Sequence, residues 1–277
     1  MSIQLKSISK YLILLSLSLT IFSCEKVIDL PLEETGQKVV IEASTSNFLG
    51  DSYVLLSRTA TLYGKDVFEK VNNGTVQITD KDGVTTVFSE DGTGKGRYIH
   101  PTFVVTPNNE YHLEVTIDGN TYSAKSSTQS LTNLNFIYTK RILNEGFTPG
   151  GQGIGKDSLN LLFMGYSDNV NESNHYRFNI YTNEKRNKRI NISDDKVSNG
   201  QEVSGPFFSS YEPGDSIRVE MINMDQANYT YFYSKANTSN SGPFSATPAN
   251  PVSNIDNDAL GYFGAYLKDT MSLVIPD

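Results

Sequence analysis

From Lys38 onward, apolar residues recur at every second position or in short runs. VVIEAS (39–44), YVLLSRTATL (53–62), TVQITD (75–80) and VTTVFS (84–89) are followed by RYIHPTFVV (97–105), EYHLEVTI (110–117) and NTYSAKSS (120–127). Segments this short, rich in β-branched and aromatic residues and bounded by turn chemistry, predict half-buried strands. Asp82-Gly83 and Asp118-Gly119 each join two of them, and both residue types tolerate the positive φ that tight hairpins need. Seven strands with turns every eight to twelve residues predict an immunoglobulin-like antiparallel sandwich over residues 38–130.

The polar stretch SSTQSLTNLN (126–135) separates this half from one of different texture, and places a domain boundary near Leu131. Beyond it, LNLLFMGYSD, HYRFNIYT, RINIS, SIRVEMINM, LGYFGAYL and MSLVI are again strand-like but more widely spaced, so residues 131–277 read as a second antiparallel β domain. Within it, Asp225–Lys235 sets Tyr229, Phe232 and Tyr233 at i, i+3 and i+4 behind a capping aspartate, which predicts one short helix with that aromatic stripe packed on a sheet. The glycine-rich segment 145–158 reads as an exposed loop, and the segment 241–258, with three prolines, as a long ordered loop. The fold class is therefore all-β, a sandwich followed by a second β domain with one short helix.

The N-terminus follows other rules. Lys6 and Lys10 precede an apolar run, Tyr11 to Ser23, that is shorter than the roughly 20 residues needed to span a bilayer. This is the form of a secretory signal, residues 1–23. Its ending, Ile21-Phe22-Ser23-Cys24, resembles a bacterial lipobox, in which the cysteine thiol is diacylated and the new amine is acylated after cleavage. Cys24 is the only cysteine, so no intrachain disulfide can form and lipidation is the expected role of its thiol. Residues 24–37 carry Glu25, Asp29, Glu33 and Glu34 with Pro31 and read as a tether. Glu25 in place of aspartate after the lipid site resembles lipoproteins passed to the outer membrane. The expected address is the outer membrane, by a lipid anchor.

Charge removes one class of partner. Formal net charge is −8, and loss of residues 1–23 takes away two lysines and no acid, so nucleic acid is not expected. The one basic cluster, Lys185-Arg186-Asn187-Lys188-Arg189, lies between two strand-like runs and reads as a solvated hairpin tip.

Candidate chemistry is sparse. His100, His112 and His175 lack partners at helical metal-ligand spacing, and no nucleophile-elbow, zinc-protease or P-loop motif occurs. Glycines 92, 94 and 96 precede no helix pattern, so they read as a strand connection rather than a phosphate cradle. Asn254, Asp256 and Asp258 alternate as calcium ligands do, but Ala259 and Ala265 stand where such a loop needs glycine and glutamate. Asp157-Ser158, Asp215-Ser216 and Asp269-Thr270 resemble short acceptors for O-linked glycans. No catalytic residue, metal or cofactor is expected, although a carboxylate pair drawn from distant strands leaves no local trace. A ligand site on such a scaffold belongs in its loops, and Phe147, Phe244, Tyr262 and Tyr266 are the candidates, with Phe263 read as core.

The order of segments carries a resemblance. Cys24 with EKVIDLPLE, then VVIEAS, YVLLSRT, GTVQITDKDG, GRYIHP, NEYHLEVTIDGNTYSAKS, NHYRFNIY, GDSIRVEM, the Tyr-rich helix and NPVSNIDNDALGYFGAY together resemble the domain-of-unknown-function 4249 family of outer-membrane lipoproteins. The resemblance implies a lipoprotein often encoded near a TonB-dependent transporter and brings no catalytic residues. The functional expectation is a non-enzymatic accessory or ligand-binding partner of such a transporter, with a surface adhesive or structural lipoprotein as the alternative.

Overall fold

A computed structural model describes residues 36–60, 68–143, 158–239 and 249–276. Fifteen strands and one helix lie in them. The first half holds β1 (Val39–Ser46), β2 (Tyr53–Arg58), β3 (Thr75–Asp80), β4 (Thr85–Glu90), β5 (Arg97–Ile99), β6 (Asn109–Ile117) and β7 (Asn120–Thr128). Next come β8 (Leu134–Leu143), β9 (Ser158–Ser167), β10 (His175–Thr182), β11 (Lys185–Arg186), β12 (Asn191–Asp194), β13 (Glu202–Tyr211) and β14 (Ser216–Met224). Helix α1 (Gln226–Ser239) and the long β15 (Leu260–Val274) complete the chain. The protein is all-β and sandwich-like.

Both predicted hairpins form. Asp118 and Gly119, at φ +50° and +81°, close a two-residue turn between β6 and β7, with Ile117 opposite Asn120. At the β3–β4 turn Gly83 sits at φ +82°, and the Asp80 carboxylate accepts from the amides of Asp82 and Val84.

The long-range arrangement departs from two purely antiparallel sheets. Twelve strands form one sheet, in the order β11, β10, β14, β15, β1, β2, β5, β4, β3, β6, β7, with β12 beside β11 on the outer edge of β10. Strands β13, β9 and β8 form a second sheet. The large sheet is joined at its centre by a parallel pair, β1 on β15, between residues more than 200 apart in sequence. Gly261 makes that pairing close: it sits at φ +109° opposite Ile41, and a Cβ there would lie 2.0 Å from the Ile41 carbonyl oxygen.

Alternation along β15 sends its residues to three apolar clusters. Phe263, Ala265 and Leu267 face a first core in which Ile41 and Leu56 meet Ile78 and Leu113. Met271 and Leu273 border a second core, where Tyr176 and Phe178 of β10 meet Leu162 and Met164 of the small sheet. Tyr262 and Tyr266 point the other way, under α1, with Ile222, Tyr231 and Phe232. Strand β15 thus contributes to all three clusters.

Helix α1 begins as expected, with Asp225 Oδ1 accepting from the Asn228 amide at 2.8 Å. Its inward face differs from the predicted stripe. Asn228, Tyr231 and Phe232 are buried, Tyr229 is half-buried and Tyr233 is exposed. The face is turned by about one residue, and beneath it Tyr266, Ser126 and the Phe263 carbonyl supply the hydrogen-bond partners that let Asn228 be buried.

Candidate functional site

The expected lipid site, Cys24, and two of the residues expected at a ligand site, Phe147 and Phe244, lie outside the described residues. Tyr262 and Tyr266 belong to strand β15 rather than to a loop, and both are interior, at 7% and 0% exposure. The Tyr266 hydroxyl donates to Asn228 Oδ1 at 2.8 Å, and Asn228 Nδ2 donates to Asp225, to the Phe263 carbonyl and to Ser126. Ser126 in turn accepts from the Ala265 amide and donates to Asp225, so this network ties β7, α1 and β15 together. Burial holds both tyrosine phenols well above their usual pKa. Phe263 is core, as read from the alternation.

Beside that network lies a cation the sequence did not mark. Arg177 is 6% exposed, its guanidinium 4.0 Å from the Phe232 ring centroid and 5.3 Å from that of Tyr266, and its Nε has no hydrogen-bond partner. The two ring faces provide the compensation that a buried charge requires. This guanidinium therefore fastens α1 to β10.

The remaining polar motifs have local duties. Asp256 accepts from the amide of Ser123, and Asn254 accepts from the Phe263 amide and donates to its carbonyl, so the 254–258 loop docks on β7 and β15. Asp215 caps a turn by accepting from Glu212 N and Asn183 Nδ2. Thr270 lies within β15 with its hydroxyl oxygen buried, and Asp157 lies outside the described residues. His175 packs its ring 4.9 Å from Tyr229.

An open cavity of about 770 Å³ lies between the two sheets, at the mouth of the second core. That is within the size range of small-molecule sites. Its floor is apolar and aromatic. Met164 and Tyr166 of β9 and Phe178 and Ile180 of β10 line it, with Phe178 5.8 Å from Tyr166 and 5.9 Å from Phe207 between ring centroids. Strand β13 forms one wall through Val203, Gly205 and Phe207. Register sets these three on the inner face, because Val203 pairs with Tyr166 and Gly205 with Met164. At Gly205 an added Cβ would meet nothing within 4 Å, so the missing side chain is part of what keeps the cavity open.

The opposite wall is the return from β10. The turn residues are Asn183 and Glu184, both at positive φ, so the tip of this hairpin precedes the basic cluster. Lys185 and Arg186 are exposed on β11, while Lys188 and Arg189, which follow it, line the cavity with Asn187, Asn191 and Ser193. Neither Lys188 nor Arg189 forms an ion pair among the described residues, and the lining contains no Asp or Glu. The nearest carboxylates behind Tyr166 are engaged: Asp168 accepts from Tyr176 and from the Gly200 amide, and Asp195 accepts from the Asn174 amide. Sequence reasoning placed the site elsewhere because β9, β10 and β13 come together only through the packing of one sheet on the other; the basic cluster, read as a solvated hairpin tip, was the available signal.

A family model described as "Domain of unknown function (DUF4249)" matches residues 25–272. The chain belongs to that family. A search of curated proteins finds no match to it. Both walls of the cavity in this family member fall inside the matched residues.

Proposed function

We propose that the protein is a non-enzymatic lipoprotein of the outer membrane, anchored through Cys24, that works as an accessory or ligand-binding partner of a TonB-dependent transporter. The observation that carries the binding role is the open cavity between the small sheet and β10, whose floor and one wall are regular strands, with the segment 187–190 between β11 and β12 at its rim. Strand-borne walls hold their side chains in fixed geometry, which suits repeated capture and release of a small ligand. The leader and Cys24 support the anchor, and residues 24–37 supply a tether of about a dozen residues.

One observation favours the adhesive alternative. On the outer face of the small sheet Tyr138 is 46% exposed and stacks on Phe163 at 5.1 Å, with Phe136 beside it and lying over Gly165. Exposed rings of this kind favour contact with a larger surface.

Detergent pull-down of the acylated full-length chain, with Cys24→Ala as control, separates the two. Stoichiometric recovery of an outer-membrane transporter with the acylated chain, lost in the control, is expected. Recovery of the lipoprotein alone rejects the accessory role and shifts the reading to independent binding or adhesion.

A further inference from the structure

We infer that the cavity selects a small amphipathic anion, an apolar body carrying a carboxylate or similar group. The inference rests on the proposal that this cavity is a ligand site, and it names the ligand class. The charge pattern is the argument. In a chain with net charge −8, this cavity has two cations at its rim and no carboxylate in its lining. Lys188 and Arg189 have no ion-pair partner among the described residues, so no carboxylate there competes for them. Cationic rim and apolar floor are spatially separated. The floor is Met164, Phe178, Ile180 and Phe207, which offers ring and thioether contacts to a flat or flexible apolar group. An anionic head at the rim stays partly hydrated while its body leaves water, so the ligand gains apolar burial without the full desolvation of its charge. A neutral apolar ligand receives only the floor, and a cation meets repulsion at the rim.

The test uses two probes of nearly equal shape, 2-naphthoate and 2-naphthamide, which differ in charge. The chain contains no tryptophan, so naphthyl fluorescence anisotropy reads binding without indole background. Full-length protein in detergent is titrated against a detergent-only blank. Wild type should bind the carboxylate about 10-fold or more tighter than the amide, as expected when two nearby cations attract one anion in partly screened surroundings. Lys188→Gln combined with Arg189→Gln should bring the carboxylate down to the amide's affinity and leave the amide unchanged. Gly205→Phe, which projects a ring into the space before β13, should abolish both. Equal binding of acid and amide by wild type, or an unchanged acid affinity in the double variant, overturns the anion assignment while the cavity stands as a site. Failure of both probes to bind wild type, or full binding of both by Gly205→Phe, overturns the cavity itself.

Discussion

Asn228→Ala should destabilise the protein by about 3 kcal/mol, far more than an exposed helix asparagine would. Asn228 is 0% exposed and its side chain has four partners: Asp225 Oδ1 at 2.9 Å, the Phe263 carbonyl at 2.9 Å, Ser126 Oγ at 3.3 Å and the Tyr266 hydroxyl at 2.8 Å. Removal does not orphan all of them. Phe263 O keeps the side-chain Nδ2 of Asn254 at 2.8 Å, Asp225 keeps the backbone amide of residue 228, and Ser126 keeps Asp225 and the Ala265 amide. The Tyr266 hydroxyl is the group left without a partner, inside a residue that is itself fully buried. One orphaned buried hydroxyl costs roughly 1–3 kcal/mol, and the lost hydrogen bonds together cost roughly another 1–2 kcal/mol. Tyr266→Phe alone should cost about 1–2 kcal/mol by leaving Asn228 Oδ1 unpaired. In the double variant neither orphan exists, so its loss should fall short of the sum by about 1 kcal/mol or more. Urea unfolding followed by circular dichroism measures all three. Because the network joins β7 to α1 and β15, the midpoint should move at constant m-value. A loss below about 1 kcal/mol for Asn228→Ala, or an additive double variant, would refute the account of this network.

Three further outcomes follow from particular contacts. Gly261→Ala forces a Cβ against the Ile41 carbonyl at a φ of +109°, and should lower stability by several kcal/mol, on the order of 3 or more, or leave the chain unfolded by circular dichroism. Gly205→Phe meets open space, so its melting temperature should stay within about 3 °C of wild type even as the cavity closes; a large drop would mean the space before β13 is filled. Tyr231 is buried, and burial followed by the charge of Glu42 pushes its phenol up to about 12. Its folded pKa lies above the unfolded value near 10, so the native state retains the proton longer: stability is intact below about pH 10 and falls as pH rises from there toward 12, by roughly 2–3 kcal/mol for this residue. Alkaline melting curves should therefore drop beyond pH 10, with tyrosinate absorbance lagging behind that of unfolded chain. Ionisation of every tyrosine near pH 10 in a still folded protein would contradict it.

The strands were legible because alternation is local. TVQITD, EYHLEVTI and SIRVEMINM each form the strand that their period predicts, and Asp118-Gly119 makes its turn because positive φ is a property of those two residues. The helix was legible from Asp225 and its spacing, but which face turned inward was not. Asn228 is buried only because Tyr266, Ser126 and Phe263 converge on it from two other strands.

Local pattern by itself thus determined that the protein is all-β, where most strands run and that one capped helix interrupts them, since propensity and hydrophobic period act over a few residues. Tertiary structure alone decided that β15 pairs in parallel with β1, that Tyr262 and Tyr266 are interior, and that Lys188 and Arg189 reach the rim of a cavity walled by β9, β10 and β13. Those outcomes depend on which strand edges and faces meet, across more than 200 residues of chain for β1 and β15, a choice made by burial of three cores at once rather than by any neighbouring residue.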